Sequence, residues 1–500
     1  MATRHGVGLG SDSAVYIAAG RNWLRGFGLS WVSGGGEVSP VVIYPPLYSL
    51  VLAGFEVVGI DALEAARLVN VLFLCISATG VGLLVWRLTG RSAISLLGVL
   101  LTVSSGEFLM VHTWAMSEAP YIAFSLISAV LLVSFLSSRR LLILAASAAG
   151  VGLVLLTRYT GLSMAAAGAM VLLADTAAAA RARVRNLMIF LAVSLTPGGL
   201  WLARTSSLAG DVAGRVLGWK IAELPPLAQQ ATIIVLNWFL PLRVVEGISS
   251  VPPVLVMAGA GVLLAGAAGL WMALHGGSLD PSSSGEITAS MMLVPFLSAT
   301  VHLMVVLIAA TVTYPETHVN ERTLAPAYPF LLTVLLIAIE WLWRSRQFIV
   351  RVALVLGMLI LVRNKTVYAY WLVHGLQQDG QRYASAAWRN SETIAALRTL
   401  SPATIYTDDI AAVYLLADRY SYSIPRRFDA ITGAYLETYP SDLDIMRQRL
   451  ADQDGVLVLF APQSIPGDMG PLEDLVVGLC LTRALADGVI YAPCPADGTP

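Results

Sequence analysis

Residues 67–87 have the sequence RLVNVLFLCISATGVGLLVWR, an apolar run with an arginine at each end. As an α-helix this run rises about 31 Å, close to the thickness of the hydrocarbon core of a bilayer. We therefore predict a transmembrane helix here. Further runs of this kind cover residues 92–112, 117–136, 140–156, 161–174, 187–203, 253–274, 289–313, 326–343 and 348–372. The pattern predicts an α-helical polytopic membrane protein with about 10 spans.

The composition of the whole chain supports this class of protein. Of the 500 residues, 57% are hydrophobic and 13% are charged, and the mean hydropathy is +0.73. A soluble domain carries about 25% charged residues, so this chain is too apolar for that class. The net charge of −1 lacks the basic excess of nucleic-acid-binding proteins, and we expect no nucleic-acid partner.

The arginine residues predict which way the spans face. If neither 41–60 nor 231–241 crosses the bilayer, four arginine clusters fall in loops on one side. These clusters are Arg87 with Arg91, Arg139 with Arg140, residues 181–185 and residues 344–351. Positively charged loops favour the cytoplasm. We therefore predict a multi-pass protein of the plasma (inner) membrane, with residues 1–66 and 375–500 on the outer side.

Residues 375–500 differ in character from the rest of the chain. Short apolar runs typical of buried strands alternate with amphipathic runs typical of helices. The strand-like runs are 404–407 and 455–460, and the helix-like runs are 388–400, 409–418 and 441–453. This alternation predicts a small α/β domain outside the membrane. In an oxidising compartment Cys480 and Cys494 could form a disulfide there, and the alternative is that one of them is buried and free.

An acidic-aromatic stretch, Asp12–Tyr16, precedes the sequence Tyr44-Pro45-Pro46-Leu47-Tyr48 on the predicted outer side. Asp12 and Tyr16 are four residues apart, so on a helix they share one face. A carboxylate placed where the chain leaves lipid for water is suited to catalysis or ligand binding. The alternative is a solvated carboxylate that caps the helix.

Three further charged residues lie at outer ends of predicted spans. Glu118 begins the span near residue 117, where the helix dipole alone also favours an acidic residue. Arg158 and Arg322 lie on the outer side, against the usual bias of arginine. Their planar guanidinium groups are suited to binding a phosphate, and the alternative is that they extend to lipid headgroups.

The sequence contains no clear cofactor motif. His112, His302 and His318 do not have the spacing of metal ligands, and we expect His302 to pack within a span. A divalent cation shared by Asp12 and Glu118 is the one metal site that these residue types suggest, because carboxylates are the preferred ligands of such ions.

The order and the sidedness of these motifs resemble the GT-C superfamily of membrane glycosyltransferases, in particular the branch of protein O-mannosyltransferases and aminoarabinose transferases. The matching elements include Asp12–Tyr16, Tyr44–Tyr48, Ser117–Pro120, Arg158–Leu162 and Glu321–Pro326. The last element is similar to the family's Arg-Tyr-x-x-Pro loop, with Thr323 in place of the aromatic residue. The resemblance covers most of residues 11–345.

The resemblance implies an enzyme that moves a hexosyl or pentosyl group from a polyprenyl-phosphate carrier to an acceptor at the outer face. It implies that Asp12 is the base of an inverting displacement and that Glu118 is a second catalytic carboxylate. The residues implied in binding substrate and lipid phosphate are Tyr16, Tyr44, Arg158 and Arg322. The identity of the sugar stays open, as does the acceptor, which is a protein, a lipid or a polysaccharide.

Three regions follow from these predictions. Residues 1–66 form an outer loop with interfacial helices that carries the acidic motif, 67–374 form the transmembrane bundle, and 375–500 form the α/β domain. Members of the resembled family begin with a transmembrane helix before the acidic loop, and this sequence has no such helix. We therefore expect an additional helix upstream of Met1 in the native protein.

Two other classes of protein remain as alternatives. A secondary transporter places ionisable residues near the middle of the bilayer, and Glu107 and Glu340 come closest to that position. Transporters also have internal repeats, which are not apparent in this sequence. A non-catalytic membrane scaffold is the third possibility.

Overall fold

The computed structural model describes residues 2–209, 216–240, 289–314, 317–344, 347–400, 404–429, 433–460 and 467–494. The chain divides into two compact units. We call Met1–Val41, Ser49–Ala66 and Gly375–Pro500 the mixed unit. We call Val42–Tyr48 and Arg67–His374 the helical unit.

Helices dominate the described part of the chain up to residue 378. In chain order they are α1 (Ser11–Leu24), α2 (Leu47–Val57), α3 (Ala62–Thr89), α4 (Ser92–Val103), α5 (Gly106–Val111), α6 (Glu118–Ser138), α7 (Leu141–Thr157), α8 (Leu162–Ala174), α9 (Ala180–Ala209), α10 (Leu224–Asn237), α11 (Ala289–Val312), α12 (Glu321–Leu324), α13 (Tyr328–Arg344) and α14 (Phe348–Gln378). Short 3₁₀ turns at Tyr159–Gly161 and Ala325–Ala327 connect α7 to α8 and α12 to α13.

The helical membrane class is confirmed. Within the described residues, five helical segments are long and apolar enough to cross a bilayer. They are Ala62–Thr89, Glu118–Ser138, Ala180–Leu208, Ala289–Val312 and Glu321–Arg344. The apolar helices α2, α4 and α7 are shorter. The predicted span at 253–274 lies outside the described residues.

The prediction of one span over 92–112 is wrong. The structure breaks this run into α4 and α5 at Ser104 and Ser105. The hydroxyl of Ser105 accepts a hydrogen bond from the backbone N–H of Phe108, which starts a new helix at this point. The 12 residues of α4 rise only about 18 Å, less than the hydrocarbon core.

Helix α6 is the most buried of the five long apolar segments, and small residues let α7 approach it closely. The hydroxyl groups of Ser128 and Ser147 each donate to the other residue's carbonyl oxygen at 2.8 Å. A Cβ atom at Gly150 would lie 3.2 Å from that of Ser128, so a larger residue there would push the helices apart. Side chains from α8, α9 and α11 join α6 and α7 in one apolar core, among them Met164, Phe190 and Val294.

The mixed unit contains further helices and most of the strands. Its helices are α1, α2, α15 (Ala386–Arg389), α16 (Glu392–Thr399), α17 (Ile410–Ala417), α18 (Tyr439–Asp452) and α19 (Leu472–Leu475). The strands of the whole chain are β1 (Ser30–Val32), β2 (Val38–Pro40), β3 (Val216–Leu217), β4 (Thr313–Tyr314), β5 (Ile405–Thr407), β6 (Tyr422–Ser423), β7 (Val456–Leu459), β8 (Leu479–Leu485) and β9 (Gly488–Pro493). Of these, β3 and β4 belong to the helical unit and pair antiparallel.

A five-stranded sheet forms the core of the mixed unit, in the order β6-β5-β7-β9-β8. Strands β5, β6 and β7 run parallel, whereas β9 is antiparallel to β7 and forms a hairpin with β8. The predicted strands 404–407 and 455–460 correspond to β5 and β7, which are fully buried. The hairpin was not predicted, because β8 is mostly exposed and lacks the apolar run of a buried strand.

The disulfide proposed from the sequence is present in the structure. Cys480 in β8 is bonded to Cys494, which directly follows β9, and their Cα atoms are 4.9 Å apart. Cys75 is the free cysteine, and it is exposed on α3. The disulfide joins the open end of the hairpin at the edge of the sheet, where strand pairing alone is weakest.

Residues from the N-terminal part of the chain pack with the C-terminal part in the mixed unit. The rings of Trp31 on β1 and Tyr414 on α17 lie 5.2 Å apart. Arg21 on α1 binds the carboxylates of Glu56 at 3.0 Å and Asp61 at 2.9 Å. Most of residues 1–66, predicted as a region of their own, therefore share a compact unit with residues 375–500.

Candidate active site in the helical unit

Three of the predicted site residues meet at the start of α6. Glu118 is the first residue of this helix, and its side chain is 1% exposed. Its Oε1 atom lies 2.5 Å from Nη1 of Arg158 and 3.1 Å from Nε of Arg322. The structure thus brings together residues that are separated by 40 and more positions in the sequence, and two guanidinium groups share one carboxylate oxygen.

Arg158 is positioned by the end of α7. The helix stops at Thr157, and Arg158 adopts an extended backbone before the turn Tyr159–Gly161. The N–H of Gly161 closes this turn on the carbonyl of Arg158 at 2.9 Å. A Cβ atom at Gly161 would lie 2.9 Å from the backbone nitrogen of Leu155, so glycine is required for the close approach.

Arg322 is positioned by a capped turn, α12. Asn320 accepts the N–H of Thr323 at 3.0 Å through its side chain, and Thr323 accepts the N–H of Asn320 at 3.1 Å. This reciprocal pair is a capping box. Thr323, which replaces the aromatic residue of the resembled loop, therefore has a local role in the cap, and Arg322 still reaches Glu118.

The cluster consists of one carboxylate that faces two guanidinium groups. The arginine side chains are 21% and 32% exposed, whereas the carboxylate between them is buried. Oε2 of Glu118 has no hydrogen-bond partner among the described residues. The arrangement is suited to an anion that approaches the exposed parts of both guanidinium groups, because Arg binds phosphate oxygens through paired N–H donors.

A divalent cation on Glu118 is disfavoured by the same geometry. Its Oε1 atom is already occupied by two cationic groups, and a third cation would be repelled by both. In the described part of the chain, no group of three or more His, Cys, Asp and Glu residues is arranged to hold a metal ion.

A buried hydrogen-bond network adjoins the two arginine turns. The phenolic oxygen of Tyr121 lies 3.1 Å from Nδ1 of His302 and 3.3 Å from the carbonyl oxygen of Thr160. Nε2 of His302 lies 3.0 Å from the carbonyl oxygen of Thr323. The expectation that His302 packs within a span holds, and its two ring nitrogens also contact polar groups there.

A second buried ion pair was not predicted as part of a site. Nζ of Lys365 on α14 lies 2.8 Å from Oε2 of Glu107 on α5, and Ser105 donates to the same oxygen at 2.9 Å. Charged residues in an apolar core are paired because burying an isolated charge is costly. The sequence does contain a feature that points to this ion pair, since Lys365 is one of only two lysines and lies in an apolar run.

The remaining predicted site residues are Asp12, Tyr16 and Tyr44. Asp12 is half-buried and Tyr16 is buried, both on α1 of the mixed unit. Tyr44 is half-buried in the segment 42–48 of the helical unit. Tyr159, next to Arg158, anchors that segment by donating a hydrogen bond to the carbonyl of Val42 at 2.9 Å.

An open polar cleft lies beside the turn that carries Arg322. Its volume is about 210 Å³, and its polar lining residues are Glu223, Gln230, Thr317, His318 and Asn320. His318, which lacks the spacing of a metal ligand, contributes to this cleft. His112 instead is buried, with Nδ1 2.8 Å from the carbonyl oxygen of Phe108.

The fold of the chain is that of the GT-C membrane glycosyltransferases. Residues 44–201 match the family model of the dolichyl-phosphate-mannose-protein mannosyltransferases, and this range contains Tyr44, Glu118 and Arg158. No curated protein matches the chain.

Solved structures of this class match over nearly the whole chain. ArnT from Cupriavidus metallidurans, bound to undecaprenyl phosphate, has a TM-score of 0.59 at 13% identity, covering 100% of this chain and 96% of that protein. The oligosaccharyltransferase of Archaeoglobus fulgidus gives 0.51 at 12% identity, with 98% and 70% covered. The mycobacterial arabinofuranosyltransferase AftD gives 0.53 at 13% identity, with 99% and 41% covered. At these identities the similarity is one of fold.

Proposed function

We propose that the protein is a glycosyltransferase that uses a sugar carried on a polyprenyl phosphate. The observation that carries this proposal is the convergence of two partly exposed arginines, Arg158 and Arg322, on Glu118 in a GT-C fold. A lipid-linked phosphate is the anion that a membrane-embedded arginine pair is suited to bind. The undecaprenyl phosphate bound to ArnT, whose fold the chain shares, supports this choice of ligand.

The reaction is an inverting displacement at the anomeric carbon. An acceptor hydroxyl attacks this carbon from the face opposite the phosphate, so that a bond to the acceptor oxygen forms while the bond to the phosphate oxygen breaks. Asp12 takes the proton of the acceptor hydroxyl as general base. Arg158 and Arg322 neutralise the charge that develops on the departing phosphate, which stabilises the transition state.

The remaining residues hold the reactants. Glu118 keeps the two guanidinium groups together, and Tyr16 and Tyr44 contribute to binding the substrates. The polar cleft beside Asn320 offers carboxylate, amide, hydroxyl and imidazole groups, which suit the hydroxyl groups of a hexosyl or pentosyl ring.

The same proposal places the reaction at the outer face of the plasma membrane. The disulfide between Cys480 and Cys494 supports an oxidising compartment for residues 375–500. On that side the mixed unit meets proteins, lipids and polysaccharides of the cell envelope, from which the acceptor comes.

Binding of undecaprenyl phosphate to the purified protein in lipid nanodiscs tests the phosphate site. Arg158→Met and Arg322→Met should each raise the Kd at least tenfold, because a charge-assisted contact contributes about 1.5–3 kcal/mol. Arg87 lies near the C-terminal end of α3. Arg87→Met is the matched control and should bind as the wild type does. Undecaprenol, which lacks the phosphate, should not distinguish the variants.

Transfer itself is tested by mass spectrometry of the lipids that copurify with the protein, followed by incubation with membrane extracts. A sugar-bearing polyprenyl phosphate that is converted to the free phosphate supports the proposal. Unchanged Kd values in both arginine variants, or wild-type protein that does not bind undecaprenyl phosphate, would refute it.

A further inference from the structure

The two turns that carry Arg158 and Arg322 are connected by a chain of buried polar contacts. The chain runs from the carbonyl of Thr160 through the hydroxyl of Tyr121 and the imidazole of His302 to the carbonyl of Thr323. Its contact lengths are 3.3, 3.1 and 3.0 Å. Tyr121 and His302 are only 1% and 2% exposed, so water does not substitute for these contacts.

The acceptors in the chain determine where the protons lie. A carbonyl oxygen only accepts, so Nε2 of His302 must carry the proton that it shares with Thr323. In the neutral imidazole Nδ1 then accepts a proton from a hydroxyl group. Tyr121 has one hydroxyl proton, which it donates either to Nδ1 at 3.1 Å or to the carbonyl of Thr160 at 3.3 Å, and when it donates to Thr160 the hydroxyl of Ser163, 3.3 Å away, donates to Nδ1. A leucine in place of His302 would leave the carbonyl of Thr323 and the hydroxyl groups without these partners.

Helix α6 holds each arginine in two ways, through the end of its side chain and through the backbone of its turn. Glu118 binds the ends of the two side chains, and Tyr121 lies three residues further along the helix, on the same face. From there Tyr121 contacts the backbone of one turn directly and the backbone of the other through His302. Short turns of three and four residues have little rigidity of their own, so a rigid helix that contacts both fixes their separation.

We propose that Tyr121 and His302 are positioning residues. They set the distance between Arg158 and Arg322 so that the two arginines bind one phosphate group from its two sides. The proposal rests on the proposed function, since it assigns the spacing of the phosphate site. Two donors that must bind one anion together are sensitive to displacements of about 1 Å. The chain therefore acts on the affinity for the phosphate without touching it.

The test measures the Kd of undecaprenyl phosphate in nanodiscs for Tyr121→Phe and His302→Leu. Each removes the hydrogen bonds and keeps an apolar side chain in the core. We expect the Kd to rise roughly fivefold in each, the equivalent of about 1 kcal/mol for one hydrogen bond. His302→Gln, whose amide keeps a donor and an acceptor, should restore most of the affinity.

Two controls separate positioning from general packing. Ser128→Ala removes another buried hydroxyl of α6, one that bonds to α7 away from the arginine turns, and should lower the unfolding temperature without changing the Kd. His302→Leu is also combined with Arg322→Met. If His302 acts through Arg322, it has no further effect on the Kd once that arginine is gone.

The outcomes are distinct. A fivefold rise in the Kd that Gln rescues and that disappears in the Arg322→Met background supports the proposal. Two results would overturn the positioning role and leave the proposed function standing. In the first, the arginine variants weaken binding and the Tyr121 and His302 variants do not. In the second, His302→Leu changes the Kd equally in the wild-type and the Arg322→Met backgrounds. If the arginine variants bind normally, both fall together.

Discussion

The carboxylate of Glu118 is 1% exposed, and Arg158 and Arg322 both contact it within 3.1 Å. Replacing the two arginines together removes both of these cations. Each single replacement leaves the other guanidinium in contact with Glu118. We therefore expect Arg158→Met or Arg322→Met to lower the free energy of unfolding by only about 1 kcal/mol, the net value of a typical hydrogen bond. The double replacement leaves a buried charge without a partner, which costs about 3–5 kcal/mol.

The double variant should lose roughly 1–3 kcal/mol more unfolding free energy than the two single variants lose together. This difference is the coupling energy between the two arginines. It arises because they share one oxygen of Glu118. Adding Glu118→Gln to the double variant removes the buried charge and should recover most of the loss. The free energies come from denaturant titrations in detergent micelles followed by tryptophan fluorescence. Additive single effects, or no recovery on adding Glu118→Gln, would refute the view that Glu118 depends on both cations.

Three further predictions concern other parts of the molecule. Asp12→Asn should lower turnover by about 10²–10⁴-fold while the Kd of undecaprenyl phosphate stays unchanged, and wild-type turnover would move the base elsewhere. Gly161→Ala should destabilise the protein and weaken binding of undecaprenyl phosphate, because its Cβ meets fixed backbone at 2.9 Å, whereas Gly199→Ala, which faces open space, should be neutral. Thiol labelling of the denatured, unreduced protein should modify one cysteine and spare Cys480 and Cys494; labelling of all three would contradict the disulfide.

Local sequence patterns were sufficient for the class of protein and for much of its secondary structure. A helix within a bilayer satisfies all its backbone hydrogen bonds internally, so an apolar run such as 67–87 predicts a span without reference to the rest of the chain. Strands β5 and β7 were predicted on the same basis, because a short, fully apolar run between amphipathic helices is typical of a buried strand. Arg158 and Arg322 were predicted as phosphate ligands because the arginine pattern predicts them on the side of the bundle where arginine is uncommon.

Breaks and pairings within these patterns were harder to predict. Hydropathy does not distinguish one helix over 92–112 from two helices, since the break depends on the hydroxyl of Ser105 bonding to the backbone. The hairpin of β8 and β9 lacks an apolar pattern, and its strands are defined by their hydrogen bonds to each other and to β7. Both features depend on where backbone groups find partners, which hydrophobicity does not record.

The sequence by itself determined that the chain crosses a membrane, that an α/β region follows the bundle, and that Glu118, Arg158 and Arg322 are candidate site residues. Only the tertiary structure decided that Arg158 and Arg322 share one oxygen atom of Glu118. It also decided that Tyr121 and His302 connect the two arginine turns, and that Lys365 pairs with Glu107. Periodicity and hydropathy depend on neighbours within a few residues of one another. A buried charge instead finds its partner wherever packing brings one, here 40 to 258 positions away, because leaving it unpaired in an apolar core costs more than any local preference.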